Sequence, residues 1–122
     1  MLNEMAAECH AIAVEKGWWP DGERNFLEAL FLIEDELHEA AHDYRHGAGV
    51  AGIYEIGLSI DLGRLENSHE VVDPRGIPIE LADCLIRLLD LCGAYGIDLD
   101  AAYDAKMAYN KTRPYRHGGL LA

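Results

Sequence analysis

The stretch that decides the fold of this 122-residue chain is Glu80-Leu-Ala-Asp-Cys-Leu-Ile-Arg-Leu-Leu-Asp90. In a helix, where each residue advances by about 100°, its four charged side chains fall within a sector of roughly 80°. Apolar side chains occupy most of the remaining circumference. Such a surface predicts a helix that packs against its neighbours over a wide face. Its charged edge is either exposed to solvent or part of a functional site.

Three other segments have the composition or spacing of helices. We predict helices over about 2–16, 25–45, 79–94 and 99–112. In the second helix the spacing of the apolar residues predicts one apolar face, which comprises Leu30, Ile33, Leu37, Ala41 and Tyr44. Each helix must bury its apolar stripe against another helix, so the sequence predicts an all-α four-helix bundle.

The chain is short enough to form one domain, which we place over residues 1–122. Six of its twelve glycines lie between Gly47 and Pro78. We therefore expect a long glycine-rich connection, an insertion over about 47–77, between the second and third helices, with a short helix around 53–65. The tail over about 114–122 is expected to be mobile.

The composition excludes several classes of protein. A formal net charge of −12 opposes binding to a nucleic acid polymer. No apolar run approaches the roughly 18 residues that would cross a membrane. The first residues lack the basic and apolar regions of a signal peptide, and Cys9, Cys84 and Cys92 fit reduced core positions. We expect a cytoplasmic protein.

Two pairs of acidic residues have the spacing of a metal site. Glu36 and Glu39 stand three residues apart on the second helix, and Glu80 and Asp83 do so on the third. The alternative for the second pair is a solvated edge, with Asp83 and Arg87 forming an i,i+4 ion pair. Four converging carboxylates would repel one another, which favours a bound cation. Oxygen ligands favour Mg²⁺, with Mn²⁺ as a possible substitute.

Other residues have the chemistry to bind an anion or a base. On the fourth helix Lys106, Asn110 and Arg113 share one face, and Tyr109 lies beside them. They suit phosphate oxygens, although basic residues near a helix C-terminus also complement its dipole. In the turn after the first helix, Trp18 and Trp19 are candidates to stack on a base. The alternative is that one of them anchors the core.

A second metal chemistry is also open. Glu39 and His42, and Glu66 and His69, match the Glu-x-x-His pattern of carboxylate-bridged di-iron bundles. On a helical wheel His42 lies about 60° beyond Glu39, away from the core edge. We therefore rank this interpretation behind the magnesium site.

Three segments carry a family resemblance: ELHEA at 36–40, ELADCLIRLLDLCGAYGIDLDAA at 80–102 and KMAYNKTRPYRHG at 106–118. They resemble the MazG-like branch of the all-α nucleoside triphosphate pyrophosphohydrolases. The ExxE and ExxD motifs of that family fall on Glu36, Glu39, Glu80 and Asp83. The resemblance implies Mg²⁺-dependent hydrolysis of a nucleoside triphosphate, often a deoxynucleotide, to the monophosphate and pyrophosphate. It also implies homodimers or homotetramers in which a partner subunit walls part of each site.

Within that resemblance Glu39 is our candidate for the general base, while Lys106 and Arg113 would stabilise charge on the transferring phosphoryl group. The glycine-rich connection is longer than in compact family members, which leaves the substrate preference open. The rival hypothesis from another class is a helical interaction module that has kept the bundle and lost turnover.

Overall fold

A computed structural model describes residues 1–55, 58–59 and 73–121. It contains four main helices: α1 (Leu2–Glu15), α2 (Phe26–Arg45), α3 (Ile77–Ala94) and α4 (Leu99–Thr112). A 3-10 turn (Pro20–Gly22) lies between α1 and α2, and a short helical turn, α5 (Arg116–Gly119), follows α4. The predicted all-α class and the four helices are confirmed.

The connection between α2 and α3 agrees less well with the prediction. Two short antiparallel strands lie here, β1 (Tyr54–Glu55) and β2 (Leu58–Ser59), with Tyr54 paired to Ser59. The predicted helix around 53–65 is therefore wrong at these four residues. Its other residues beyond 59 lie outside the described ranges, as does much of the predicted glycine-rich insertion.

Side-chain caps and glycines define the ends of the helices. The Asn25 side chain accepts a hydrogen bond from the Glu28 backbone N–H (3.0 Å) and so caps α2. Asp98 caps α4 in the same way through Ala101, at 3.1 Å. Before α3, Gly76 has a φ of 122°, and a Cβ there would collide with the carbonyl oxygen of Gly52. Only glycine fits that position without strain.

The third helix packs against both α1 and α2. Where it meets α1, a Cβ on Gly93 would lie 2.5 Å from the carbonyl oxygen of Ala6, so the absence of a side chain allows the two helices to approach closely. Two clusters of buried residues form the core, and they comprise Ala6, Leu89 and Cys92, and Trp19, Ala29 and Leu91.

The core face of α2 differs from the predicted one. The buried residues are Ala29, Glu36 and Ala40, with Ile33 packed against the core. Four of the five predicted positions are exposed instead, namely Leu30, Leu37, Ala41 and Tyr44. Small alanines allow the backbone of α2 to approach α3, and this approach turns Glu36 inward and leaves the larger apolar side chains outside.

The fourth helix is held at one end rather than along its length. Asp100 accepts hydrogen bonds from the backbone N–H groups of Leu2 (2.8 Å) and Asn3 (3.1 Å). The Asn3 side chain in turn accepts from the N–H groups of Leu99 (2.9 Å) and Asp100 (3.1 Å). The two helix N-termini thus cap one another, while α4 itself buries no residue. None of the described helices is long and apolar enough to cross a membrane.

Candidate active site

Three carboxylates from α2 and α3 converge on one point. One oxygen each from Glu36, Glu80 and Asp83 lies within 4.8 Å of the others. Glu36 is buried on the core face of α2, and Glu80 lies in the first turn of α3. The two predicted acidic pairs therefore meet between these helices, as their spacing indicated.

The carboxylates are not compensated by enough positive charge. Burial, a hydrogen bond with Glu39 and the charges of Glu39, Asp43 and Asp83 together raise the pKa of Glu80 to about 7. Burial and the charge of Glu36 also raise the pKa of Asp83, against the opposing effect of Arg87. A divalent cation would relieve this repulsion. The donors are all oxygens, so the group fits a hard ion such as Mg²⁺ or Mn²⁺.

Glu39 and Arg87 flank this group in different ways. Glu39 is exposed and hydrogen-bonds to Glu80, so it lies beside the three converging carboxylates rather than among them. Arg87 donates from Nε to Oε1 of Glu36 at 2.5 Å. The charged edge of α3 therefore faces the other helices, and its interpretation as a solvated edge is wrong.

A cavity of about 270 Å³ adjoins the carboxylates. Glu36, Asp83 and Arg87 contribute to its wall. The rest of the lining combines apolar, aromatic and basic side chains from α1, the following turn and α3, namely Cys9, Ile12, Ala13, Lys16, Trp18, Arg24, Ile86 and Asp90. The cavity is thus partly apolar, and it has both charged groups and an aromatic ring in its wall.

The two tryptophans have opposite environments. Trp18 is 64% exposed and lines the cavity, so its ring is available to a ligand. Trp19 is only 6% exposed, and its Nε1 donates to both oxygens of Asp90, at 2.9 and 3.0 Å. The prediction that Trp19 stacks on a base is therefore wrong. Its indole must bury its N–H, and the Asp90 carboxylate satisfies it.

Asp90 also binds residues that the sequence did not single out. The Nδ1 atom of His10 lies 2.9 Å from Oδ1 of Asp90, and Arg24 Nη1 lies 3.9 Å from Oδ2. The Arg24 guanidinium stands 5.1 Å from the centre of the Trp19 ring. Arg87 and Asp90, which are neighbours on the charged edge of α3, therefore have different partners: Arg87 contacts Glu36, and Asp90 contacts this cluster.

The predicted phosphate-binding residues lie elsewhere on the chain. Lys106, Tyr109 and Asn110 are exposed on α4, and Arg113 follows this helix. The Lys106 ammonium and the Arg113 guanidinium stand 5.0 and 5.6 Å from the Tyr109 ring centre. None of the four lines the cavity beside the carboxylates. Their role in binding stays a prediction.

The histidines give no support to a di-iron centre. His42 stacks on His46 with ring centres 4.1 Å apart, and its Nδ1 lies 3.8 Å from Asp43. In the part of the chain that the structure describes, the one group with the geometry of a metal site contains carboxylates alone. The second Glu-x-x-His pair, Glu66 and His69, lies outside the described residues.

A cyanophage protein is similar to this chain over about two-thirds of its length. No protein family model matches the chain, and no solved structure matches it. The dATP/dGTP diphosphohydrolase of cyanophage S-2L is 34% identical over 79 residues, which are 65% of this chain and 67% of that protein. The chain therefore belongs to the family of that diphosphohydrolase, a relationship that supports the resemblance to MazG-like pyrophosphohydrolases.

Proposed function

We propose that this protein is a Mg²⁺-dependent nucleoside triphosphate pyrophosphohydrolase. It hydrolyses the bond between the α- and β-phosphates of an NTP or dNTP, consuming one water and releasing the monophosphate and pyrophosphate. The observation that carries the proposal is the convergence of Glu36, Glu80 and Asp83 beside a cavity that also presents Trp18. The name of the cyanophage relative supports a nucleoside triphosphate as substrate.

Glu36, Glu80 and Asp83 would hold the cation, with Glu39 next to them. When bound, Mg²⁺ neutralises phosphate charge and lowers the pKa of a ligated water. Glu39 acts as the general base that accepts the proton of the attacking water. Its position supports this role, because it is exposed and already shares a hydrogen bond with Glu80.

Trp18 stacks on the base of the nucleotide inside the cavity. Its exposed ring and the apolar side chains of Ile12 and Ile86 give the cavity the character of a base-binding pocket. Aromatic stacking on a base contributes about 1–3 kcal/mol in single-strand binders, enough to orient a substrate.

The phosphates are bound by Lys106, Asn110, Arg113 and Tyr109 of a second subunit in a homodimer or homotetramer. Two observations support this assignment. These residues do not line the cavity of their own chain. Large apolar side chains of α2 and α3 are also exposed on the single chain and are available for subunit contact, among them Leu27, Phe31, Leu81 and Leu85.

The experiment that tests the proposal is an assay of pyrophosphate release. Purified protein is incubated with Mg²⁺ and each of eight NTPs and dNTPs, with EDTA as the metal-free control. We expect release from at least one nucleotide, and none in EDTA. A folded protein, judged by circular dichroism, that releases pyrophosphate from none of them would exclude the enzyme and favour the helical interaction module. Aerobic iron loading separates the di-iron alternative, which alone predicts a coloured, redox-active protein.

A further inference from the structure

Arg24 is a nearly buried cation in the cavity wall with hydrogen-bonding capacity to spare. Its side chain is 17% exposed and lines the cavity beside Trp18. Its guanidinium lies 3.9 Å from the Asp90 carboxylate and 5.1 Å from the centre of the Trp19 ring. Its side chain donates no hydrogen bond to any residue in the described ranges. A guanidinium has five N–H donors, so these are available to a ligand.

Asp90 fixes where Arg24 stands. The Asp90 carboxylate is itself held by both bonds from Trp19 and by His10, and the Trp19 ring lies under the guanidinium. Arg24 is therefore restricted on two sides, and the planar fork of its donors is ordered before a ligand binds.

The charge of Arg24 is also largely balanced by Asp90. A compensated guanidinium attracts a polyphosphate less than a free cation does, yet it keeps its donors. Arg87, which contacts Glu36, is closer to the carboxylates where the phosphates of the proposed substrate would bind. The part of the ligand that meets Arg24 and Trp18 is then the base.

Building on the proposed function, we propose that Arg24 determines base specificity by donating its fork to a base edge with two adjacent acceptors, and that Asp90 is the positioning residue that holds Arg24 in place. Guanine offers N7 and O6, and cytosine offers N3 and O2. On the corresponding edges of adenine the amino group, a donor, takes the place of one of the two acceptors. Thymine has an N–H donor between its two carbonyl oxygens. Guanine and cytosine nucleotides are therefore preferred over adenine and thymine nucleotides.

The test compares kcat/KM for dGTP, dCTP, dATP and dTTP in the wild type and in Arg24→Lys. Lysine retains the charge beside Asp90 but loses the fork. We expect the wild type to favour dGTP or dCTP over dATP by about ten-fold or more. The variant should reduce this ratio to about three-fold or less, through a higher KM with little change in kcat. Arg45→Lys, an exposed substitution on α2, is the matched control and should leave the ratio unchanged.

Two further measurements separate the roles of Arg24 and Asp90. Inhibition by inorganic tripolyphosphate reports phosphate binding without a base, and Arg24→Lys should not weaken it. An equal loss of tripolyphosphate and dGTP affinity would assign Arg24 to the phosphates and overturn the proposal. Asp90→Asn keeps an acceptor for Trp19 and removes the charge, so it should lower the base ratio through KM. A change in kcat alone would overturn the positioning role.

Binding of guanosine and adenosine tests the inference independently of turnover, and it needs only the wild-type protein. Quenching of tryptophan fluorescence should show tighter binding of guanosine. Equal or tighter binding of adenosine would overturn the proposal even if pyrophosphate is released. Absence of pyrophosphate release with a guanosine preference would instead remove the proposed reaction and leave the base site intact.

Discussion

The charged edge of α3 is turned towards the other helices, whereas its apolar face is buried near the C-terminal end, at Leu89 and Cys92, and exposed before it. The charged edge comprises Glu80, Asp83, Arg87 and Asp90. It faces α1 and α2, and Asp90 is among the buried residues of the helix. Its opposite face carries the exposed Leu81, Leu85 and Leu88. In most globular proteins leucine is buried and charge is solvated. The inner edge of α3 is therefore its candidate functional surface, and the exposed leucines of the outer face are available to an apolar partner.

The inner face itself divides into two halves. Arg87 and Asp90 have compensating partners, which are Glu36 for the former and Arg24 for the latter. Glu80 and Asp83 have other carboxylates as neighbours, and their pKa values are raised. Compensated charges hold helices together, whereas like charges held close together require a cation. The difference between the two halves distinguishes a structural contact from a candidate metal centre.

The largest expected effect comes from Glu80→Gln. The neutral amide oxygen is a much weaker ligand for a divalent cation than a carboxylate, so we expect pyrophosphate release to fall by at least about 100-fold. The fold should be as stable as the wild type or more so without metal, because one repelling charge is removed. Thermal unfolding in EDTA and the pyrophosphate assay measure the two effects.

Glu34→Gln is the control for this variant, since Glu34 is an exposed acid on the same helix as Glu36. It should have near-normal activity. If Glu80→Gln also keeps near-normal activity, Glu80 is not a metal ligand. The pair Glu80 and Asp83 then loses its interpretation as part of a metal site.

Two leucines one turn apart on α3, one buried and one exposed, test how far the outer face of the helix is covered. Leu89 is 1% exposed, and Leu89→Ala should lower the free energy of unfolding by about 2–5 kcal/mol. Leu85 is 43% exposed, and Leu85→Ala should change the stability of the monomer by about 0.5 kcal/mol or less. Urea unfolding at several protein concentrations separates these contributions. Equal losses that do not depend on concentration would contradict an outer face that is exposed in the single chain.

Helix positions and the acidic pairs were predictable because both follow from local spacing. The bounds of α4, 99–112, agree with the prediction, and Glu36, Glu80 and Asp83 converge as i,i+3 pairs on adjacent helices allow. Capping residues and proline determine helix ends locally. Two ligands one turn apart necessarily share a helix edge, so little tertiary information was needed for either prediction.

Contacts that depend on how closely helices approach were not predictable. The spacing of apolar side chains favoured Leu30 and Leu37 for the core of α2, whereas Ala29 and Ala40 are buried there. The link between His10 and Asp90 spans 80 positions, and no local pattern indicates it. The one signal was a pair of tryptophans before Pro20, since a buried indole N–H requires an acceptor.

A smaller effect is expected from Arg87→Met, which removes the partner of Glu36. A buried carboxylate without its donor should lower the free energy of unfolding of the metal-free protein by about 1–3 kcal/mol. The pKa of Asp83 should rise further, because Arg87 is the group that lowers it. Added Mg²⁺ should restore much of the stability by replacing the lost positive charge. Thermal unfolding with and without Mg²⁺ measures the loss of stability and its recovery. A loss that Mg²⁺ does not reduce would show that Arg87 does not contribute to the charge balance of the carboxylates.

The smallest effect is the pH dependence of metal-free stability. The pKa of Glu80 is about 7 in the folded protein, against 4.5 for the ordinary group. Between these values the unfolded chain releases a proton that the folded protein retains, so stability should fall as pH rises from about 4.5 to about 7 and stay level above it. The raised pKa of Asp83 acts in the same direction, whereas Asp98 and Asp100, whose pKa values are lowered, contribute only at more acidic pH.

Melting temperatures in EDTA between pH 5 and 8 measure this slope, and Glu80→Gln should flatten it because the amide does not titrate. Mg²⁺ should reverse the trend, since the cation binds the ionised carboxylates and competes with protons for them. A wild-type slope that survives in Glu80→Gln would locate the titrating group outside the inner face of α3. The raised pKa of Glu80 would then not account for the pH dependence of stability.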